Sequence, residues 1–204
     1  MNALSQYRGL PRQVYYLCTV RFVADVGLMF VMPFLSLICT QRLGFSTVQT
    51  AYIVMVISLG NIAGSLLGGK LADSIGRKRT TLIMDLLVLV IMILAGLNCE
   101  SRLVLVFMFF GFIANAAMVP AAMAILVDLT DETNRNESIS LNYIFCNLGV
   151  AFGPFLAGLL FYRHTSWIFY SMALFFGIAF LLTYFCIREP EILDGVTEIG
   201  RAHV

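Results

Sequence analysis

Two ionisable side chains, Arg21 and Asp25, stand four residues apart inside the first long apolar run of this 204-residue chain. Residues four apart share one face of a helix, so the guanidinium and the carboxylate can meet there. Counted from Val14, Asp25 lies about 16 Å into the run if the run is helical. Ionised groups at such a depth in lipid usually face a cavity or a partner. Two interpretations stay open: Asp25 carries a proton or binds a cationic substrate with Arg21 as its counter-charge, or the two ions form a structural pair.

Other side chains show no pattern for catalysis or metal binding. The five cysteines are scattered without a C-x-x-C spacing, and the two histidines do not cluster. We therefore expect no catalytic residues and no metal site. A disulfide between Cys39 and Cys99 stays open, because both could lie near one membrane face. No nucleotide-binding loop is present, so any energy must come from an ion gradient or a separate chain. We also expect no cofactor and no nucleic-acid partner.

The elements that position these residues are long apolar runs. Hydrophobic residues make up 60% of the chain, charged residues 12%, and the mean hydropathy is +0.89. This is too much apolar surface for a soluble domain, so we expect lipid to surround most of the chain. Six runs are long enough to cross a ~30 Å hydrocarbon core as helices, and they do not alternate as barrel strands do. The predicted fold is an all-α integral membrane protein with spans at 14–39, 47–71, 80–99, 103–127, 138–162 and 165–187.

Lysine and arginine concentrate on one side of this topology. That side receives Arg8, Arg12, Lys70, Arg77, Lys78, Arg79, Arg135 and Arg188. The opposite side receives only Arg42, Arg102 and Arg163. By the positive-inside rule, we predict that the richer side and both termini are cytoplasmic in a multi-pass protein of the cell (plasma) membrane.

The connection between the second and third runs, Gly68–Arg79, reads GGKLADSIGRKR. Its spacing of Gly69, Asp73, Gly76, Arg77, Lys78 and Arg79 resembles the signature loop of the major facilitator superfamily of secondary transporters. The resemblance implies twelve helices in two halves, of which this chain is the N-terminal six-helix half, working by alternating access. It also implies that Asp73 holds the cytoplasmic helix ends together. Pro33 and Pro120 lie at similar distances into the first and fourth runs, as a 3+3 inverted repeat would place them.

Two further patterns resemble the twelve-helix drug:proton antiporters within that superfamily. Gly27 followed by Pro33 resembles their first helix, although Leu35 replaces a second proline. The fifth run carries Gly149, Gly153, Pro154 and Gly158, which resembles their antiporter motif; Ala157 replaces one of its glycines, and Ser140 another. The resemblance implies proton-coupled export of small molecules. We expect the prolines to bend their helices.

The fourth run departs from the family pattern. Many proton-coupled members carry an arginine four residues before a glycine, but Phe107 precedes Gly111 here. We therefore do not expect coupling through an arginine at this position, and we assign the expected coupling role to Asp25 and Arg21. Asn115 is a further candidate for substrate contact. We interpret Asp85, near the start of the third run, as a structural acid that snorkels or pairs with the Arg77–Arg79 cluster.

Small residues recur at every fourth position of the second and fifth runs. The two ridges are Gly60, Gly64, Gly68 and Ala72, and Gly149, Gly153 and Ala157. Small residues let helix backbones approach closely in lipid. We interpret the ridges as seams for a missing C-terminal half; packing inside this half is the alternative.

The polar connection from Asp128 to Glu137 offers caps, with Thr130 and Asp131 closing one helix and Asn134 with Glu137 opening the next. The end of the chain is interpreted separately. We expect 191–197 to begin the central cytoplasmic linker. Ile199–Val204 can be encoded by ATC-GGA-AGA-GCA-CAC-GTC, which looks like a sequencing-library adapter, so 198–204 is expected to be an artefact.

The favoured function is therefore half of a proton-coupled exporter, with the lipid bilayer, protons, a small molecule and a C-terminal half as partners. An importer of a sugar, organic acid or peptide is the alternative within the same class. A membrane-embedded enzyme, or a half-size protein acting as a homodimer or scaffold, is the alternative from other classes.

Overall fold

The computed structural model of the chain describes residues 7–161 and 164–188, and within them every regular element is a helix. Six helical spans are long and apolar enough to cross a membrane, which confirms the predicted fold class. They are α1 (Arg12–Arg42), α2 (Thr47–Ile75), α3 (Arg77–Leu97), α4 (Leu103–Asp128), α5 (Arg135–Phe161) and α6 (Thr165–Cys186). The proposed linker and the adapter-like tail lie outside the described residues.

The first span changes its helix type where Pro33 occurs. It is regular over Arg12–Val31, then forms a 3-10 turn at Met32–Phe34 and a π turn at Ile38–Arg42. Proline has no N–H to donate, so it interrupts the regular hydrogen bonding of the preceding turn. By contrast, Pro120 and Pro154 lie inside helices α4 and α5, which continue through them.

Helices α1–α3 and α4–α6, here named the first and second triplets, make equivalent contacts with each other. Helix α1 packs against α5 and α6, helix α4 packs against α2 and α3, and α3 packs against α6. Exchanging α1 with α4, α2 with α5 and α3 with α6 reproduces the same set of neighbours. Helix α1 begins at the end of the bundle where α4 ends, so the repeat is inverted, as the sequence predicted.

One end of the bundle, here named the basic end, is where α2 meets α3. Gly76 alone joins these helices and has a φ of 98°, in the region that favours glycine. Lys78 donates to the Tyr184 carbonyl at 3.1 Å, and the Arg188 N–H donates to the Gln13 side chain at 3.0 Å. The starts of α1, α3 and α5 and the ends of α2, α4 and α6 therefore lie together there.

The glycine ridge of α2, here named the α2 seam (Gly60, Gly64 and Gly68), packs inside this half. A Cβ added to Gly64 would lie 2.5 Å from the Ile113 carbonyl oxygen of α4, and one added to Gly68 would collide with the Ala117 backbone. The interpretation of this ridge as a seam for a missing half was wrong, because α4 already occupies it.

The ridge of α5, here named the α5 seam (Gly149 and Gly153), is likewise occupied, by α1. A Cβ added to Gly149 would lie 2.8 Å from the Phe22 carbonyl oxygen, and one added to Gly153 would lie 2.8 Å from that of Val26. This interpretation is corrected in the same way: the small residues bring α1 and α5 together.

Reciprocal hydrogen bonds between side chains and backbone N–H groups precede two helices of the bundle. Ser46 and Gln49 exchange hydrogen bonds at the start of α2. Before α5, the Asp131 carboxylate accepts from the Asn134 N–H at 3.2 Å, and the Asn134 side chain accepts from the Asp131 N–H at 3.2 Å. Helix α5 begins at Arg135, directly after Asn134 as predicted, but the Asn134 side chain binds the Asp131 N–H of the preceding turn and not Glu137 among the described residues.

Candidate functional site

Arg21 and Asp25 form an ion pair inside the bundle. Arg21 Nη2 lies 3.4 Å from both Asp25 carboxylate oxygens, and only 11% and 10% of the two side chains are exposed. The 3.4 Å separation is long for a charge-assisted hydrogen bond. Arg21 Nη1 is buried and has no hydrogen-bond partner in the described part of the chain. The pair is therefore formed but does not satisfy the guanidinium.

Helix α5 lies directly against this pair through its seam. A Cβ added to Gly149 would lie 3.0 Å from the Asp25 Cβ. One turn earlier on α5, the Cys146 side chain interacts with both Arg21 and Asp25. The antiporter-like motif of α5 and the interior acid of α1 therefore share one contact surface.

Asp85 on α3 is the second interior acid, and its surroundings contradict the prediction for it. Its side chain is completely buried, and neither carboxylate oxygen has a hydrogen-bond partner within residues 7–161 and 164–188. The charged side chain that interacts with it is Arg21, not the Arg77–Arg79 cluster. Asp85 does not snorkel, because its face of α3 is covered by neighbouring helices.

The cations of the signature loop fasten helices to one another at the basic end. Arg77 forms an ion pair with Asp128 and donates to the Ala124 carbonyl of α4 at 3.0 Å. Lys78 binds the end of α6, with its Nζ 5.9 Å from the centre of the Tyr184 ring. Arg79 is exposed. These contacts hold the start of α3 against the ends of α4 and α6.

Gly69 and Asp73, two other residues of the signature loop, do not contact neighbouring helices in this way within the described residues. Asp73 is exposed and pairs with no cation among the described residues, and a Cβ added to Gly69 would meet nothing within 4 Å. The contact expected of Asp73 at the helix ends is therefore not made within the described residues. Asp128 of α4 pairs with Arg77 of the loop instead.

The remaining candidates lie apart from the charged cluster or contribute packing. Asn115 is half-buried on α4, and its side chain makes no hydrogen bond in the described part of the chain. A Cβ added to Gly27 would lie 2.7 Å from the Phe175 Cβ of α6, so this glycine allows close helix packing. Pro33 is exposed, Pro120 and Pro154 are half-buried, and Gly158 faces open space.

The signal for Asp85 was present in the sequence. Three residues at helical spacing from Asp85 are fully buried. They are Thr81, four residues before it, Val88, three residues after it, and Met92, seven residues after it. This spacing marks one helix face, so Asp85 could have been assigned to the buried side of α3. Cys146 offered no comparable signal, because single cysteines in apolar helices are common.

The described residues contain no group of three or more metal-binding side chains, and all five cysteines are free. The disulfide left open between Cys39 and Cys99 is therefore not formed. Cys99 lies outside the spans, and partial burial raises the pKa of its thiol. Arg21, Asp25 and Asp85 are here named the interior cluster. The chemistry available to these three side chains is proton binding and charge pairing.

Comparisons with known proteins agree with these features. Residues 17–200 match the family model described as Major Facilitator Superfamily. The chain is 26% identical over 175 residues to Multidrug resistance protein 1 of Bacillus subtilis, covering 86% of this chain and 45% of that protein. It is 32% identical over 152 residues to Multidrug resistance protein MdtL of a Shewanella strain, covering 73% and 38%.

A third relative is the Na(+), Li(+), K(+)/H(+) antiporter of Planococcus maritimus, 23% identical over 181 residues, with 85% of this chain and 42% of that protein covered. The chain spans less than half the length of these curated relatives. The matched segment contains all of the interior cluster, the signature loop and both glycine seams. The chain belongs to the Major Facilitator Superfamily, a family of membrane transporters for small molecules and not of enzymes.

Proposed function

We propose that this chain is the N-terminal half of a proton-driven exporter of small molecules that works by alternating access. The observation that carries the proposal is the contact between the α5 seam and Asp25. Any rearrangement of α5 against α1 must change the surroundings of this acid, because Gly149 leaves no space between the two helices. Protonation of Asp25 can thereby be linked to helix movement.

The names of the relatives support export and proton exchange. Two are named multidrug resistance proteins and one is named a cation/proton antiporter. At 23–32% identity these names indicate a class of substrate and not a particular molecule. We propose a small lipophilic molecule, for which ethidium is a suitable probe, as the substrate.

We further propose that the basic end faces the cytoplasm of a cell membrane, which places both termini inside. The test is labelling of single cysteines introduced into a cysteine-free background. Cysteines at Ser74 and Asn134 should react only from the inside, and those at Gly44 and His164 only from the outside. Labelling of Asn134→Cys from outside would contradict the orientation.

A second six-helix half would complete the substrate pathway, because alternating access requires two halves that rock around a shared site. The 204-residue chain should therefore insert and fold but give no gradient-driven flux by itself. Specific flux from the chain alone would instead support a half-size transporter that functions as a homodimer.

The direction of transport distinguishes export from import. Everted vesicles containing the chain extended through its second half should accumulate ethidium when their lumen is made acidic, and a protonophore should abolish the accumulation. The 204-residue chain serves as the matched control. Accumulation of a sugar, organic acid or peptide in right-side-out vesicles with acid outside, without ethidium transport, would favour the importer.

A further inference from the structure

We propose that Asp85 is a second proton-carrying acid of the Arg21 site, and that Arg21 pairs with Asp25 or with Asp85 according to which of the two is protonated. This inference rests on the proposed proton-driven exchange and adds a residue to it. Two observations carry it: within the described residues, neither the Asp85 carboxylate nor Arg21 Nη1 has a hydrogen-bond partner.

The two side chains lie at the same depth in the bundle. Arg21 is nine residues from the start of α1 and Asp85 eight from the start of α3, and both helices start at the basic end. At 1.5 Å per residue, they lie about 14 Å and about 12 Å from that end. Their electrostatic interaction agrees with this placement. Arg21 therefore has an acid on its own helix and another across the bundle.

Few other ionisable groups compete for Asp85. Helix α4 has none between Leu103 and Val127. Helix α6 offers Tyr170, which packs at Gly96 near the far end of α3, and Tyr184 and Cys186 near the basic end. Helix α2 offers Tyr52, Lys70 and Asp73, all of which are exposed. Cys18 and Cys146 are the remaining neighbours of the cluster, on α1 and α5.

The charge count explains why one proton should reside there. Arg21 and an ionised Asp25 neutralise one another, so a protonated Asp85 leaves the buried cluster neutral. An ionised Asp85 would leave one net negative charge with no hydrogen bond, which is costly in an apolar interior. In the proposed step, a hydronium ion gives its proton to a carboxylate oxygen of Asp85, an O–H bond forms, and water leaves.

The exchange of partners follows from the same count. When Asp25 takes up a proton instead, Arg21 loses its partner and Asp85 becomes the only anion available to it. The long Arg21–Asp25 separation of 3.4 Å, and an Nη1 with no hydrogen-bond partner among the described residues, leave one N–H group of the guanidinium available to Asp85. Asp25 lies against the α5 seam, whereas Asp85 lies on α3. When Arg21 changes its partner from one acid to the other, the position of the proton therefore affects the contacts of a different helix.

The test is an infrared pH titration of the purified 204-residue chain in lipid vesicles, following the C=O band of protonated carboxyl groups. This measurement requires no transport, so it can fail or succeed independently of the proposed function. The wild-type chain should retain one such band at neutral pH. Asp85→Asn should remove it, and the exposed-site control Glu132→Gln should leave it unchanged.

The coupling between the acids is tested by Asp25→Asn. This variant frees Arg21 for Asp85, so the titration midpoint of the band should fall by roughly one to three pH units, the effect of a nearby cation on a carboxylate. Carbon-13 labelling of aspartate in the wild-type chain gives a second measurement that needs no variant. A band that survives Asp85→Asn, a midpoint that Asp25→Asn does not move, or a wild-type chain with every aspartate ionised at neutral pH would overturn the proposal.

Discussion

The two triplets of this bundle share their packing but not their chemistry. Helices α1 to α3 contain the interior ions Arg21, Asp25 and Asp85, whereas α4 to α6 contain no charged residue between Leu103 and Val127 or between Thr165 and Cys186. Each triplet nevertheless places its first helix against a glycine seam of the other. The repeat therefore describes how the helices assemble, whereas the interior ions belong to one triplet.

Removing Arg21, the interior cation of the first triplet, should have the largest effect on stability. Arg21→Gln leaves the buried Asp25 carboxylate without its counter-charge, so we expect the free energy of unfolding to fall by about 3–5 kcal/mol. Adding Asp25→Asn to this variant should recover part of the loss. The measurement is denaturation of the purified chain in detergent micelles.

Arg12→Gln is the matched control, because Arg12 is exposed at the start of the same helix. It should change the free energy of unfolding by no more than about 0.5 kcal/mol. Equal effects of the two arginine substitutions would show that the interior ions are no different from surface charges.

Substitutions in the two seams test whether the triplets are structurally equivalent. Gly68→Ala and Gly153→Ala should each destabilise the bundle by about 1–3 kcal/mol, because each added methyl group meets a neighbouring helix. The matched controls are Gly69→Ala and Gly158→Ala, at positions where a Cβ would meet nothing within 4 Å. If only one of the two substitutions lowered the stability of the bundle, the two seams would not be structurally equivalent.

The ion pair at the basic end should contribute less than the interior pair. The Arg77 and Asp128 side chains are 33% and 29% exposed, so solvent screens them. We expect Asp128→Asn to lower the free energy of unfolding by about 0.2–1 kcal/mol, less when the salt concentration is high. A loss as large as that of Arg21→Gln would mean that the loop is a main source of stability.

The smallest effect is expected in the connection before α5. The hydroxyl and N–H of Thr133, with the N–H of Asn134, bind the Asp131 carboxylate and lower its pKa below the usual range. This capping contribution is present above the usual pKa of an aspartate and is lost as the pH falls through the lowered value.

Thr133→Ala should therefore raise the pKa of Asp131, whereas Thr133→Ser, which keeps the hydroxyl, should leave it nearly unchanged. NMR titration of the aspartate carboxyl carbon measures both. An unchanged pKa in Thr133→Ala would show that the threonine hydroxyl is not the cause.

Much of this architecture could be predicted from the sequence because lipid imposes simple requirements on it. The six spans follow from hydropathy, and the connection at Gly76 follows from the charged Gly68–Arg79 loop between two apolar runs. The partners of the glycine ridges could not be predicted, since a ridge shows that a helix comes close but not which one. The prediction that Asp85 snorkels or pairs with the Arg77–Arg79 cluster was wrong. It considered only the depth of Asp85 in the helix and not the buried face that Asp85 shares with Thr81 and Val88.

The central claim is that the ions of the first triplet couple protons to transport. The most direct test follows proton movement in everted vesicles with an acidic lumen, containing the chain extended through its second half. Adding ethidium should release protons from the lumen with wild-type protein and with Glu132→Gln. Asp25→Asn should abolish this proton release while ethidium still binds. Unchanged ethidium-driven proton release in Asp25→Asn would contradict the account and reduce Asp25 to a structural partner of Arg21.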